Sequence, residues 1–158
     1  MTIRNAAKAI IVHQGKILLI KYRGRAGQIC YTIPGGGQDY LETMEEAIVR
    51  ECMEETGYQV AVSDFLALYE ELIVDTAYQQ MHPDYVHKIF HIFSCTLQSE
   101  IQQNPAQMDA GQTGCEWVDT HIVRSLPVYP LVVRENINAL LSGKAPMFLG
   151  THKMNLPE

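Results

Sequence analysis

Between Gly36 and Tyr58 the chain sets Glu42, Arg50, Glu51, Glu54, Glu55 and Gly57 at fixed distances behind a glycine run. No other stretch constrains the fold as tightly, because it specifies a helix with both ends marked and one face charged. Thr43 followed by Glu46 fits a capping box, which predicts a helix starting near Thr43. Gly57 supplies a left-handed stop at the other end. Met44, Ala47, Ile48, Val49 and Cys52 form an apolar side for packing on the rest of the domain. Glu51, Glu54 and Glu55 stand three and four residues apart, so their carboxylates project from neighbouring parts of one helix surface.

Like charges crowded on a helix cost stability unless something positive neutralises them. Hard carboxylate oxygens favour Mg²⁺ or Mn²⁺, and Mg²⁺ binds through a few carboxylates together with substrate phosphates and water. A bare run of glutamates is more often a solvated face. Here an arginine and two glycines stand in register with the acids, which favours a ligand site. Arg50 lies four residues before Glu54, within reach of it along the helix, and is expected to orient that carboxylate. Ahead of the helix, Ile33-Pro34-Gly35-Gly36-Gly37 forms a turn whose glycines allow positive φ and close approach to a ligand.

This arrangement resembles the signature of the Nudix hydrolases, and the likeness extends to Glu116-Trp117-Val118 and Leu126-Pro127, so it covers most of the chain. The resemblance implies an α/β fold, a mixed β-sheet sandwiched between α-helices, with the motif helix on one face. It implies a Mg²⁺- or Mn²⁺-dependent hydrolase cleaving the diphosphate linkage of a nucleoside diphosphate derivative. An ADP-ribose-like compound, a sugar nucleotide or a nucleoside triphosphate would all fit. The metal ligands would be Glu51, Glu54 and Glu55, with Glu42 in an outer shell. Glu51, Glu54 and Arg50 are the candidate catalytic residues, and Gly35 and Gly36 the candidate substrate-binding residues of the turn. Either Glu51 or Glu54 would take the proton from water, with Glu100, Asp109 and Glu116 as alternative bases. The chain departs from the family pattern at Leu41, where glycine is common, and at Tyr58 and Cys52, which fill aliphatic positions. A non-catalytic Nudix-like domain that senses a nucleotide is the alternative, and the intact glutamate set argues against it.

The rest of the chain reads as one domain over residues 1–158, long enough to bury a core. A net charge of −6 argues against a broad nucleic-acid or anionic-membrane surface. Cys30, Cys52, Cys95 and Cys115 have neither CxxC nor zinc spacing, so buried reduced thiols in a cytoplasmic protein are expected. The amino terminus reads as one without a signal peptide, and no apolar run of the sequence is long enough to span a bilayer, so neither secretion nor a membrane span is expected.

Apolar runs at Ala6–Val12 and Lys16–Tyr22 around His13-Gln14-Gly15 predict a hairpin. Tyr31–Ile33 predicts a short strand, Gln59–Val74 strand broken near Ser63-Asp64, and Cys115–Asp119 another strand. Val86–Leu97 is apolar on both alternating faces, as a central strand should be. A helical turn near Ile122 and a helix over Leu131–Leu141 follow. The loops Asp75–Asp84 and Gln98–Gly114 are long enough to be suspected of choosing the substrate. Lys21, Arg23 and Arg25 follow a strand; Arg23 and Arg25 are candidates for holding the diphosphate, against the commoner reading of a solvated loop. Tyr22, Tyr31, Tyr78, Tyr85 and Trp117 are aromatic candidates for stacking on a base, although packing is the usual role of such residues. His87 and His91 lack the partners a zinc site needs. The apolar segment Ala145–Leu149 is expected either to complete the sheet or to join a homodimer interface.

Overall fold

The computed structural model describes residues 2–24, 26–105, 108–143 and 146–155. The strands are β1 (Arg4–His13), β2 (Lys16–Arg23), β3 (Ile29–Thr32), β4 (Val60–Ile73), β5 (His87–Leu97), β6 (Gln112–Asp119), β7 (Val128–Tyr129) and β8 (Met147–Met154). The helices are α1 (Met44–Thr56), α2 (Thr76–Met81) and α3 (Leu131–Leu141). The strands join in the order β7-β3-β2-β1-β5-β4-β8, with β6 also paired to β2. β1–β5, β3–β7 and β4–β8 are parallel, and β1–β2, β2–β3, β2–β6 and β4–β5 antiparallel. The sheet is mixed, as expected, and β5 lies between β1 and β4 within it.

Side-chain alternation along β1 sorts the molecule into two layers. Ala6 and Ile10 face a core shared with Phe90, Ile92 and the α3 residues Val132, Val133, Ile137 and Leu140. Ala7, Ala9 and Ile11 face a second core shared with Ala47, Ile48 and Cys52 of α1. The sheet is therefore sandwiched between α1 and α3.

The expected hairpin is present, but β1 and β2 pair only at Val12↔Ile17 and His13↔Lys16. Beyond that point the strands part, and the Pro34–Gly37 turn takes up the edge of β1. Ala7 N–H donates to the Gly36 carbonyl and Ala9 N–H to the Pro34 carbonyl, both at 2.9 Å. An isolated antiparallel bridge joins Ala6 to Gly37. The buried polar groups of β1 are thus satisfied by the turn, which pins the turn against the sheet.

Other expectations are adjusted by the structure. The break expected near Ser63-Asp64 is a pair of register shifts, Val62/Phe65 and Phe65/Ala67, inside one continuous β4. The segment Asp75–Asp84 contains α2 and leads into a 3-10 turn, Pro83–Tyr85, rather than forming an open loop. Met147–Leu149 belongs to β8, which pairs with β4 and extends the sheet. Ala145 lies outside the described residues. Cys52 and Cys95 are buried free thiols, whereas Cys30 and Cys115 are only half-buried. Among the described residues no helix is long and apolar enough to cross a membrane.

Candidate active site

The motif segment is a helix for the reasons its sequence states. Glu46 N–H donates to Thr43 Oγ1 at 3.2 Å and Thr43 N–H to Glu46 Oε2 at 2.8 Å, a reciprocal cap. Gly57 ends the helix at φ 73°, its N–H bonded to the Met53 carbonyl. The apolar side is narrower than expected, since Val49 is exposed while Ala47, Ile48 and Cys52 are buried. Glu55 and Thr56 join that buried side.

Arg50 is the hub of the acidic face. Its Nε and Nη2 donate to the two oxygens of Glu42 at 2.8 and 2.9 Å. Its Nη1 donates to Glu51 Oε1 at 2.9 Å and Glu54 Oε2 at 3.2 Å, and Nη2 also reaches the Gly37 carbonyl at 3.0 Å. One guanidinium therefore ties three carboxylates to the glycine turn. The expected Arg50–Glu54 pair is present; the fork on Glu42 and the tether to Gly37 were not foreseen. Hydrogen bonding to Arg50 holds the Glu42 carboxyl below its ordinary range.

The glycines of the turn are required by close approach. A Cβ at Gly35, where φ is 115°, would collide with the Ala7 carbonyl oxygen. A Cβ at Gly36 would collide with the Glu51 carboxylate. Gly35 N–H donates to Glu55 Oε2 at 2.8 Å, and the Gly35 carbonyl accepts from Lys8 Nζ. Burial pushes the Glu55 carboxyl up to about 7, with Lys8 and the Gly35 N–H opposing the rise. Burial also raises Glu51, against the pull of Arg50, and lowers Lys8, against the pull of Glu55 and Glu51.

Among the described residues no group of three or more histidine, cysteine, aspartate or glutamate side chains is gathered closely enough to hold a metal ion. Glu51 and Glu54 share one cationic nitrogen of Arg50, whereas Glu55 turns to Gly35 N–H. The donor set fits a hard divalent cation in its chemistry, all of it carboxylate oxygen. Two of the three acids already share a positive charge, and Glu55 is bonded to Gly35 through one of its two oxygens.

A cleft of about 360 Å³ opens beside the turn, lined by Gly35, Gly36, Gly37, Arg4, Lys8, Lys88 and the aromatic rings of Tyr22, Tyr85, Phe90 and Tyr129. A larger hollow of about 690 Å³ lies by Tyr40, Leu41, Glu42 and Val49, and neither the glycine turn nor Glu51, Glu54 or Glu55 lines it. Lys88 Nζ is 2.5 Å from the fully buried Glu71, which also accepts from Tyr129 Oη.

Arg23 is exposed and does not line the cleft, and Arg25 lies outside the described residues. Tyr22 and Tyr85 reach the cleft; Trp117 packs on Tyr58, and Tyr31 points to Glu116. Of the alternative bases only Asp109 lines the cleft, while Glu100 pairs with His13 and Glu116 with Lys21. His87 pairs with Glu70 and His91 packs near Phe65, so the two histidines do not converge. Arg4, Lys8, Lys88 and Tyr129 were missed. Lone basic residues inside apolar strands were the only signal that could have found the first three.

A β-sheet between two helices, with an arginine-braced acidic helix against a glycine turn, defines a class of protein that comparison identifies further. The NUDIX domain model matches residues 2–134, so the chain belongs to the NUDIX family. An ADP-ribose pyrophosphatase of Methanocaldococcus jannaschii is 44% identical over 64 residues, 40% of this chain and 38% of that protein. A putative 8-oxo-dGTP diphosphatase of Bacillus subtilis is 37% identical over 70 residues, 44% of this chain and 45% of that protein. The matched region thus spans less than half the length of these curated relatives. A NUDIX hydrolase from Nitrosomonas europaea superposes with a TM-score of 0.72 at 20% identity, covering 92% of this chain and 93% of that one. A MutT protein from Bacillus halodurans gives 0.65 at 20% identity, covering 97% and 91%. At such identities these two structures support the fold alone.

Proposed function

We propose that residues 1–158 act as a single unit, a cytoplasmic hydrolase that uses Mg²⁺ or Mn²⁺ to cleave the diphosphate linkage of a nucleoside diphosphate derivative. The observation that carries this reading is the acidic face of α1, braced by Arg50 against the glycine turn beside a cleft of basic and aromatic residues. The activities named for the two curated relatives point to ADP-ribose and to a purine deoxynucleoside triphosphate as the first compounds to try.

Glu51, Glu54 and Glu55 would hold the cation, with Glu42 fixing Arg50 behind them. When bound, the cation would neutralise phosphoryl oxygens and lower the pKa of an attached water. Arg50 orients Glu51 and Glu54 through hydrogen bonds from one nitrogen, which holds the two carboxylates side by side before substrate arrives. Glu51 or Glu54 accepts a proton from the attacking water; the water oxygen bonds to phosphorus as the bridging oxygen leaves with its electron pair. Gly35 and Gly36 let the substrate approach the backbone, and the cleft receives the nucleoside or its partner group.

Incubation with ADP-ribose, sugar nucleotides and nucleoside triphosphates plus Mg²⁺, followed by product chromatography, tests the reading. Glu51→Gln and the Glu54→Gln/Glu55→Gln pair are expected to stay folded. Each is expected to lose on the order of 10²–10⁴-fold in kcat, the range a positioned acid or base contributes. Retained turnover in the paired variant would remove the proposed metal role. Binding without release of any product by the wild type would instead favour the sensor.

A further inference from the structure

Among the described residues three basic side chains line the cleft, and two of them are already committed. Lys8 donates to the carbonyls of Gly35 and Ile33, and Lys88 is neutralised by the buried carboxylate of Glu71. Arg4 differs: among the described residues its guanidinium has no carboxylate and no hydrogen-bond acceptor, only the ring of Tyr85, whose centroid is 4.8 Å from Cζ.

Its placement follows from the fold. Arg4 opens β1 and lies beside Lys88 in the parallel β1–β5 register. Two residues on, Ala6 bridges to Gly37, so the Arg4 side chain leaves the strand on the same face and arrives at the turn. A Cβ at Gly37 would collide with Arg4 Nη2 and Cζ, so the guanidinium occupies the room that Gly37 leaves. The carbonyl of that same glycine receives Arg50. Tyr85, from the 3-10 turn after α2, places its ring under the guanidinium in a cation–π contact. A planar fork held between the Tyr85 ring and Gly37, with no carboxylate partner among the described residues, suits two oxygens of a phosphoryl group. Among the described residues Asp109 is the one acidic side chain lining the cleft, and it acts electrostatically on Lys8 and Glu55.

We propose that Arg4, stacked on Tyr85 and laid over Gly37, grips a phosphoryl group of the diphosphate substrate. Tyr85 is the positioning residue for that grip. The inference rests on the hydrolase reading above and names a binding residue that the run Lys21, Arg23, Arg25 does not contain.

The test titrates inorganic pyrophosphate with Mg²⁺ into wild type, Arg4→Gln, Arg4→Lys and Tyr85→Leu, and measures kcat and KM on ADP-ribose and dGTP. Arg4→Gln is expected to weaken pyrophosphate binding and raise KM by about tenfold, with a shallower dependence of binding on salt. Arg4→Lys should restore the salt dependence but recover the affinity only in part, because a point charge lacks the fork. Tyr85→Leu should raise KM less than Arg4→Gln and keep the wild-type salt dependence. The melting temperature of each variant guards against unfolding. Pyrophosphate affinity, KM and salt dependence all unchanged in a folded Arg4→Gln would overturn the grip, as would a wild type that does not bind pyrophosphate. Wild-type turnover with an unaffected Arg4→Gln would sink the grip alone. Loss of pyrophosphate binding in Arg4→Gln beside an inert wild type would support the grip and sink the hydrolase reading.

Discussion

Glu55 shows how one side chain can be at once costly and useful. It is 5% exposed, its Oε2 bonded to Gly35 N–H, and burial lifts its pKa to about 7. The folded chain therefore holds that proton more tightly than the unfolded chain, whose carboxyl titrates near 4.5. Stability from this group is greatest below the unfolded value and is lost as pH rises through about 7. In chelator, the stability of Glu55→Gln relative to wild type is expected to improve by on the order of 3 kcal/mol between pH 4 and pH 8. Urea unfolding at a series of pH values measures it; a difference that stays flat with pH would show that Glu55 titrates normally. A divalent cation favours the carboxylate, so cation affinity should also fall as the pH drops below 7. Arg50 is the counterpart, a cation that substitutes for charge neutralisation on Glu42, Glu51 and Glu54.

α1 depends on its two ends because its exposed face is a row of acids. Losing the Thr43 cap by Thr43→Ala should cost about 1 kcal/mol. Gly57 sits at φ 73° and a Cβ there would collide with the Gln103 carbonyl, whereas Gly143, at φ 61°, has open space around that position. Gly143→Ala should therefore cost about 1 kcal/mol from backbone strain alone, and Gly57→Ala distinctly more. Chemical denaturation midpoints rank the two, and equal costs would show that the segment at Gln103 yields freely. Both ends of this helix were legible in the sequence, since capping is local chemistry between residues three or four apart. The parting of β1 from β2 was not. Apolar runs flanking a tight turn predict a hairpin, but insertion of the glycine turn along β1 depends on hydrogen bonds between residues nearly thirty positions apart.

For the molecule as a whole, the sheet brings β1, β5, the glycine turn and α1 to one place, and binding there should be felt globally. A ligand that binds only the folded state stabilises it by mass action, about 2.7 kcal/mol at a hundredfold excess over Kd. Adding Mg²⁺ or Mn²⁺ is expected to raise the melting temperature of wild type, and to leave the Glu54→Gln/Glu55→Gln pair almost unmoved. A matching rise in the variant, or none in wild type, would place cation binding elsewhere or remove it. The individual strands and helices were readable from their patterns, because alternation and helical period report burial directly, while their arrangement as a mixed sheet between helices came from the family resemblance. The cleft was not readable. Its walls come from Arg4, Lys88 and Tyr129, on strands distant in sequence, and a lone basic residue in an apolar strand carries no signal of where its charged end goes.

By itself the sequence determined the acidic helix, its caps, the glycine turn and the family, because these rest on short-range spacing and steric rules that hold wherever the segment lies. Only the tertiary structure decided which carboxylates besides Glu54 Arg50 gathers, which glycine each side chain leans on, and which cation has no carboxylate partner among the described residues. Those outcomes turn on burial and on the pairing of strands far apart in the chain, and no spacing along the chain encodes either.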